Sequence, residues 1–195
     1  LRIIKMNKVK IFAIGFNKSG TTSIYKLLKI MKYNAIHTTI PVLKIIDKYD
    51  AFTDGNHTNF IDYYNKYPNS LFILNTRPIK NWLVSRYKHG LLTNFRKSWG
   101  WPVEDSKTLK WINDRKIHHM NVLKFFKDKP KQLLVVNIEE NNWENKIYKF
   151  IKQEKLNKTL KLKIHSNQRS DTLIVKDKME IILNSVNKCL KECNY

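Results

Sequence analysis

The sequence predicts an α/β fold: three layers, α/β/α, with a mainly parallel central sheet. Three observations carry that expectation. Apolar runs of strand length alternate with amphipathic stretches of helical period along the chain. The runs KIFAIG, SLFILNT and LLVVNI are apolar at successive positions, as strands covered on both faces must be. The first run also leads through a polar loop bounded by glycines straight into a helix. A chain of 195 residues fits a single domain, 1–195, and is long enough to bury a core without disulfides or metals.

Taken in order, Val9–Gly15 reads as the first strand, and Thr21 to about Lys32 as a helix with Ile24, Leu27, Leu28 and Met31 on one face. Tyr33–His37 is a weaker strand. Ile40–Tyr49 has Pro41 near its start and Leu43, Ile46 and Tyr49 at helical spacing, which predicts a short helix. Asp50–Asp54 is a third strand, with Gly55-Asn56-His57 as the loop at its carboxyl end, and Phe60–Lys66 is a helix closed by Pro68-Asn69. Ser70–Thr76 is the clearest strand. Arg77 stands at its end, and Pro78 starts a helix that runs to about His89. Residues 91–106 are aromatic and polar, broken by Gly100 and Pro102, and read as a lid loop in which Trp99 and Trp101 could line a pocket. Thr108–Lys127 is an amphipathic helix on which His118 and His119 read as ordinary helix-face residues. Lys131 to Ile138 holds a fourth strong strand, followed by helices over Asn142–Lys152 and Lys176–Cys193.

Net charge is +21, from 37 Lys and Arg against 16 Asp and Glu, a field that concentrates anionic ligands. The joint richness in Lys, Asn and Ile also fits AT-biased coding, so charge alone does not specify a polyanion surface. The two cysteines, Cys189 and Cys193, lie four apart near the end of the chain, without His or further Cys at ligand spacing. Neither a zinc site nor a disulfide framework is expected, and a reducing compartment fits. No apolar run approaches the ~18 residues of a membrane span. Leu-Arg-Ile-Ile-Lys-Met is too short and too charged for a signal peptide, so a soluble, cytoplasmic protein with no membrane partner is the expectation.

The chemistry concentrates in KIFAIGFNKSGTTS, Lys10–Ser23. A buried strand, a loop with a glycine at each end and a helix N-terminus are the parts of a phosphate cradle, because loop N–H groups and the helix dipole converge on an anion. Gly15-x4-Gly20 is the spacing of a nucleotide P-loop. A Walker A loop, however, places Lys and then Ser or Thr after the second glycine, whereas here Thr21-Thr22 follow it and Lys18 precedes it. Ligands of open α/β sheets bind beyond the strands' carboxyl ends. The loop, the 54–57 turn and Arg77 are all expected on that edge.

The segment Asn17-Lys18-Ser19-Gly20-Thr21-Thr22-Ser23 resembles the 5′-phosphosulfate loop of the sulfotransferases that use 3′-phosphoadenosine 5′-phosphosulfate (PAPS), whose pattern is P-K-[ST]-G-T-T-[SW]. That family also carries an Arg at a strand end with a Ser eight residues on, as Arg77 and Ser85 are here. The middle residue of its usual R-[DN]-P is missing. Together with DAFTD and YPNSLFILNTRPIKNWLVSRYKH, the likeness is to a divergent bacterial-type branch and covers roughly residues 9–90.

The resemblance implies a P-loop NTPase-like sulfotransferase fold and transfer of a sulfuryl group from PAPS to a hydroxyl or amine. Lys18 and the groups of Asn17 to Ser23 would hold the 5′-phosphate that becomes the leaving group. Arg77 and Ser85 would hold the 3′-phosphate, a role suited to a planar multi-donor cation and a hydroxyl. The base would lie on the loop before the Arg strand, where His57 stands and Asp54 is the runner-up. Arg169, in Ser166-Asn167-Gln168-Arg169, is the only late residue able to stand in for the family's further 3′-phosphate contact. No metal is implied. The acceptor, a small molecule or a glycan, anionic ones included, is not encoded in any motif. Two other readings compete: a P-loop nucleotide or small-molecule kinase, which lacks its Walker lysine here, and a non-catalytic polyanion binder, which explains the charge but not the paired motifs. A nucleic-acid partner is not expected.

Overall fold

The computed structural model describes residues 9–54, 57–92, 102–152 and 173–194. The chain forms an α/β fold around a five-stranded, all-parallel sheet of order β2-β3-β1-β4-β5. The strands are β1 (Ile11–Ala13), β2 (Ala35–His37), β3 (Ala51–Thr53), β4 (Leu71–Thr76) and β5 (Leu133–Asn137). The helices are α1 (Thr21–Ile30), α2 (Phe60–Lys66), α3 (Ile79–Leu91), α4 (Asp105–Phe126), α5 (Trp143–Lys152) and α6 (Leu173–Glu192). Two compact units share the chain: residues 1–76 with 122–167, and 77–121 with 168–195.

The first unit holds the sheet, and strand alternation explains its layers. Ile11 and Ala13 of β1 point to one face, where Ile24, Leu27 and Leu28 of α1 and Trp143, Ile147 and Ile151 of α5 cover them. Phe12 and Ile14 point to the other, onto Phe60 and Tyr63 of α2 and Val122 and Phe126 at the end of α4. Because successive side chains of a strand leave opposite faces, a central strand apolar at every position demands helices on both sides. The second face is an aromatic stack. The Phe12 ring lies 5.2 Å from Phe52, 4.9 Å from Tyr63 and 5.3 Å from Phe72.

The element order matches the sequence reading except at Ile40–Tyr49. That segment makes only a short 3-10 turn, Val42–Lys44, followed by irregular turns. Val42 and Ile46 are buried and Tyr49 is half-buried while Leu43 is exposed, so Val42 takes the place in the core that the 43/46/49 spacing gave to Leu43. The stretch must return quickly to β3, and at Ile45, φ −127°, the backbone has already left helical values. The expected lid falls largely on residues 93–101, which lie outside the described residues, as does the basic stretch 153–172.

In the second unit, α3 and α6 pack together with the first turns of α4. Asp105, the first residue of α4, accepts hydrogen bonds from Ser185 (2.7 Å) and Lys188 (2.6 Å) of α6. The fully buried Trp82 has the Arg86 guanidinium 5.0 Å from its ring centroid and that of Arg115 at 5.1 Å. Among the described residues no helix is long and apolar enough to cross a membrane.

Phe12 lies at the centre of the first unit's aromatic face and is 1% exposed. Phe12→Ala is expected to lower the unfolding free energy by ~3–5 kcal/mol. In urea melts the midpoint falls while the slope stays close to that of the parent protein; an unchanged midpoint would show that the stack contributes no stability.

Candidate anion site at the β1–α1 loop

Strand order creates the site. From β1 the chain crosses to the β2 edge, whereas from β4 it runs outward to β5, so the connections diverge between the neighbours β1 and β4. Such a switch point opens a crevice at the carboxyl ends. The loop from Gly15 to Gly20 leaves β1 there.

Asn75, fully buried near the end of β4, shapes this loop. Its Oδ1 accepts the Gly15 N–H at 2.9 Å, and its Nδ2 donates to the Ser19 carbonyl at 2.9 Å and to Ser19 Oγ at 2.8 Å. The Ser19 hydroxyl in turn donates to the Phe16 carbonyl. Only glycine fits at 15, since a Cβ would stand 1.9 Å from the Asn75 carbonyl oxygen. Gly20 combines φ +89° with Ile138 packed against it, 2.8 Å from where a Cβ would sit. It is the N-cap of α1 and has no side chain to close that end. The first turn of α1 contains no acidic residue, and its leading N–H groups have no intrahelical acceptors. These N–H groups and the dipole favour an anion.

Lys18 sits in the left-handed region, φ +66°, two residues ahead of the helix cap. The first-turn hydroxyls are occupied from behind. Thr21 donates to Asp54 Oδ1 at 3.3 Å, and Thr22 Oγ1 lies 3.2 Å from His37 Nε2. His37 ends β2, and its Nδ1 lies 3.0 Å from the Thr53 hydroxyl. Asp54 Oδ2 stands 3.8 Å from His37 Nε2. Burial pushes the Asp54 carboxyl above its ordinary range, opposed by the His37 and Lys18 charges and the Thr21 hydrogen bond. Burial likewise lowers the His37 imidazole, aided by the Lys18 charge and opposed by Asp54.

The structure thus brings Lys18, Ser19, Gly20, Thr21, Thr22 and Asp54 together in the first unit. Asn17 lies half-buried within the same loop, and Ser23 is buried in the first turn of α1. Arg77 and Ser85 belong to the second unit. Arg77 is the residue after β4, and its carbonyl accepts Arg115 Nη2–H at 2.6 Å; Ser85 is half-buried on α3. His57 opens a short 3-10 turn, His57–Asn59, and its side chain is outside the described residues, as are Arg169, Trp99 and Trp101. The sequence reading misses His37 and Asn75 as site residues. Both are polar residues at or near the ends of otherwise apolar strands, the signal by which they can be found.

His118 and His119, on α4, stand apart from this cluster in sequence and belong to the second unit. Burial, with the Arg115 and His118 charges beside it, lowers the His119 imidazole to about 4. Compared with known proteins, the chain matches no family model and no curated relative.

Asn75→Ala removes three hydrogen bonds and leaves buried groups unmet, so a loss of about 1–3 kcal/mol is expected. Faster amide exchange at Gly15 identifies the loop as the part released; unchanged protection there would show that the amide does not hold it. For His119 the folded state disfavours the proton, so its stabilising contribution is present above pH 6.5 and is lost as pH falls through about 4. His119→Gln should flatten the acid side of the stability profile in that window, and an unaltered profile would refute the shift.

Proposed function

We propose that the chain is a PAPS-dependent sulfotransferase, which transfers a sulfuryl group to a hydroxyl or amine. The observation that carries this reading is the β1–α1 loop: a cradle at a helix N-terminus with no side-chain cap among the described residues, and a lysine ahead of the second glycine instead of after it. A Walker lysine reaches the β- and γ-phosphates from the helix side. With Thr21 in that position, the loop suits a single phosphate group with a cation on the opposite side.

In this reading Lys18 and the first-turn N–H groups neutralise charge that develops on the 5′-phosphate as it leaves, the largest single contribution that preorganised donors can make. The residues present fit that role, since both glycine positions lack room for a Cβ and no first-turn carboxylate repels the anion. Arg77 supplies the fork for the 3′-phosphate, with Ser85 as its hydroxyl partner. Arg169 is the third contact the resemblance suggests for that phosphate. A residue of the segment 54–57 takes the acceptor's proton. The imidazole of His57 is the first choice as the residue type most often used for this step, and the Asp54 carboxyl, raised by burial, is the second. The strong positive charge favours capture of both nucleotide and an anionic acceptor such as a glycan.

Thermal unfolding separates the readings. Adenosine 3′,5′-bisphosphate at a hundred times its Kd should add about 2.7 kcal/mol of stability, while ATP with Mg²⁺ and a single-stranded oligonucleotide add none. A larger shift with ATP and Mg²⁺ would replace the assignment with a kinase. Lys18→Ala should abolish sulfuryl transfer with the melting temperature unchanged. Arg77→Ala should weaken the 3′,5′-bisphosphate far more than adenosine 5′-phosphate, and equal losses would remove Arg77 from the 3′-phosphate.

A further inference from the structure

His37 occupies a position that nothing in the sulfuryl-transfer scheme uses. Its two ring nitrogens bridge the end of β3 to the first turn of α1: Nδ1 lies 3.0 Å from Thr53 Oγ1, and Nε2 lies 3.2 Å from Thr22 Oγ1. Thr53 is 1% exposed, and its hydroxyl donates to the Ile36 carbonyl at 3.4 Å. A hydroxyl has one proton. With that proton directed at Ile36, the Thr53 oxygen accepts from Nδ1–H. The imidazole is then the Nδ1–H tautomer, and Nε2 carries a lone pair that accepts the Thr22 hydroxyl proton. In this arrangement the Thr22 side chain offers an anion only its oxygen, which repels it.

Protonating Nε2 reverses the bond. The imidazolium N–H donates to Thr22 Oγ1, and the threonine proton becomes free to turn toward the loop. We infer that His37 is a positioning residue whose uptake of a proton from solvent accompanies anion binding at the β1–α1 loop, redirecting the Thr22 hydroxyl from the imidazole to the anion. The inference rests on the loop being an anion cradle, as proposed above, but not on PAPS being the donor.

The charges around the ring support this sense of coupling. Asp54 Oδ2, just past the end of β3, stands 3.8 Å from Nε2 and stabilises an imidazolium there. Lys18, from the loop, opposes it. Tyr25 of α1 packs its ring 5.8 Å from the imidazole. Without an anion, burial and then the Lys18 charge lower the His37 imidazole from its ordinary value, against the pull of Asp54. A dianion beside Lys18 cancels that lysine's opposition and raises the affinity of His37 for a proton. By linkage, the anion then binds more tightly as pH falls through the pKa of the complex, and the gain ends below the pKa of the free protein.

Inorganic sulfate is the probe, because it remains a dianion across the range and any pH slope belongs to the protein. Calorimetric titration between pH 8 and 5 should show affinity rising by up to about tenfold per pH unit. Two buffers of different ionisation enthalpy should report net proton uptake at constant pH. His37→Gln keeps an amide donor and acceptor but cannot titrate, so its slope and uptake should vanish. Imidazole NMR of the parent protein gives the same answer without a variant: sulfate should raise the His37 pKa. Sulfate binding with no slope, no uptake and an unmoved His37 would overturn the inference. A sulfate slope without any stabilisation by adenosine 3′,5′-bisphosphate would remove the donor assignment and leave His37 in its role. If neither anion binds, both readings fail.

Discussion

One buried amide organises the carboxyl edge of this sheet. β1 pairs with β4 through Ala13, opposite Ile73, and beyond that point the chain turns away from the ladder. Asn75 continues the pairing by side chain, accepting Gly15 N–H and donating twice to Ser19. A fully buried amide with its donors and acceptor engaged rigidifies its surroundings, and the same group left unmet would cost the desolvation of each atom. The loop therefore takes its shape from two neighbouring strands: Asn75 of β4 at one end, and Ile138, just past β5, against Gly20 at the other. Through that frame the start of α1 is fixed relative to the sheet.

The same frame sets the electrostatics. Thr21 and Thr22 are adjacent on the first turn, yet each hydroxyl finds a different partner, Asp54 and His37, because β3 and β2 end side by side in parallel register, with His37 opposite Thr53. A carboxylate behind a helix N-terminus and a lysine before it bracket the position where the dipole is positive. Both Asp54 and His37 are partly withdrawn from water, with side chains 22% and 29% exposed. Their charged forms are disfavoured separately and favoured jointly. This makes the pair responsive to any further charge that arrives at the loop.

How much of this the sequence revealed follows from what periodicity can report. Hydrophobic pattern records burial along one segment, so the strands at 11–13, 71–76 and 133–137 and the helices α1, α3, α4 and α5 were legible. The Gly15–Gly20 frame was legible too, because tight backbone geometry constrains residue type directly. At 40–49 the pattern misled: proline followed by apolar residues at helical spacing suits a helix locally, but the segment is spent on reaching β3. His37 and Asn75, marked in the sequence only as polar residues at or near the ends of apolar strands, were missed for a different reason. Their roles depend on β2 and β3 lying on one side of β1 and β4 on the other, an order that no local pattern encodes. Arg77 and Ser85 were singled out by motif spacing alone, which fixes residues on a strand end and a helix without fixing what they face.

Backbone strain points to the same loop independently of any motif. Five described residues other than glycine have positive φ: Lys18, Lys32, Asp54, Asn142 and Asn194. Lys32, Asn142 and Asn194 flank α1, α5 and α6, where helix ends bend the chain; Tyr33 N–H closing on the Leu28 carbonyl at 3.0 Å is such an end. Lys18, like Asn142, stands shortly before a helix, and Asp54 stands just past β3; neither follows a helix end of that kind. A left-handed lysine costs roughly 1–2 kcal/mol that glycine would avoid, and glycine is already used two residues later. Strain of this kind persists where the surroundings over-determine it, and it collects at sites that bind or react. Of the two, Asp54 has a short polar side chain that tolerates the conformation. Lys18 has only its ammonium group to recommend it. Its charge is felt at both Asp54 and His37, beside a helix N-terminus closed by neither a side-chain cap nor a first-turn carboxylate. The strained lysine and a helix start without a side-chain cap thus stand within three residues of each other on one loop.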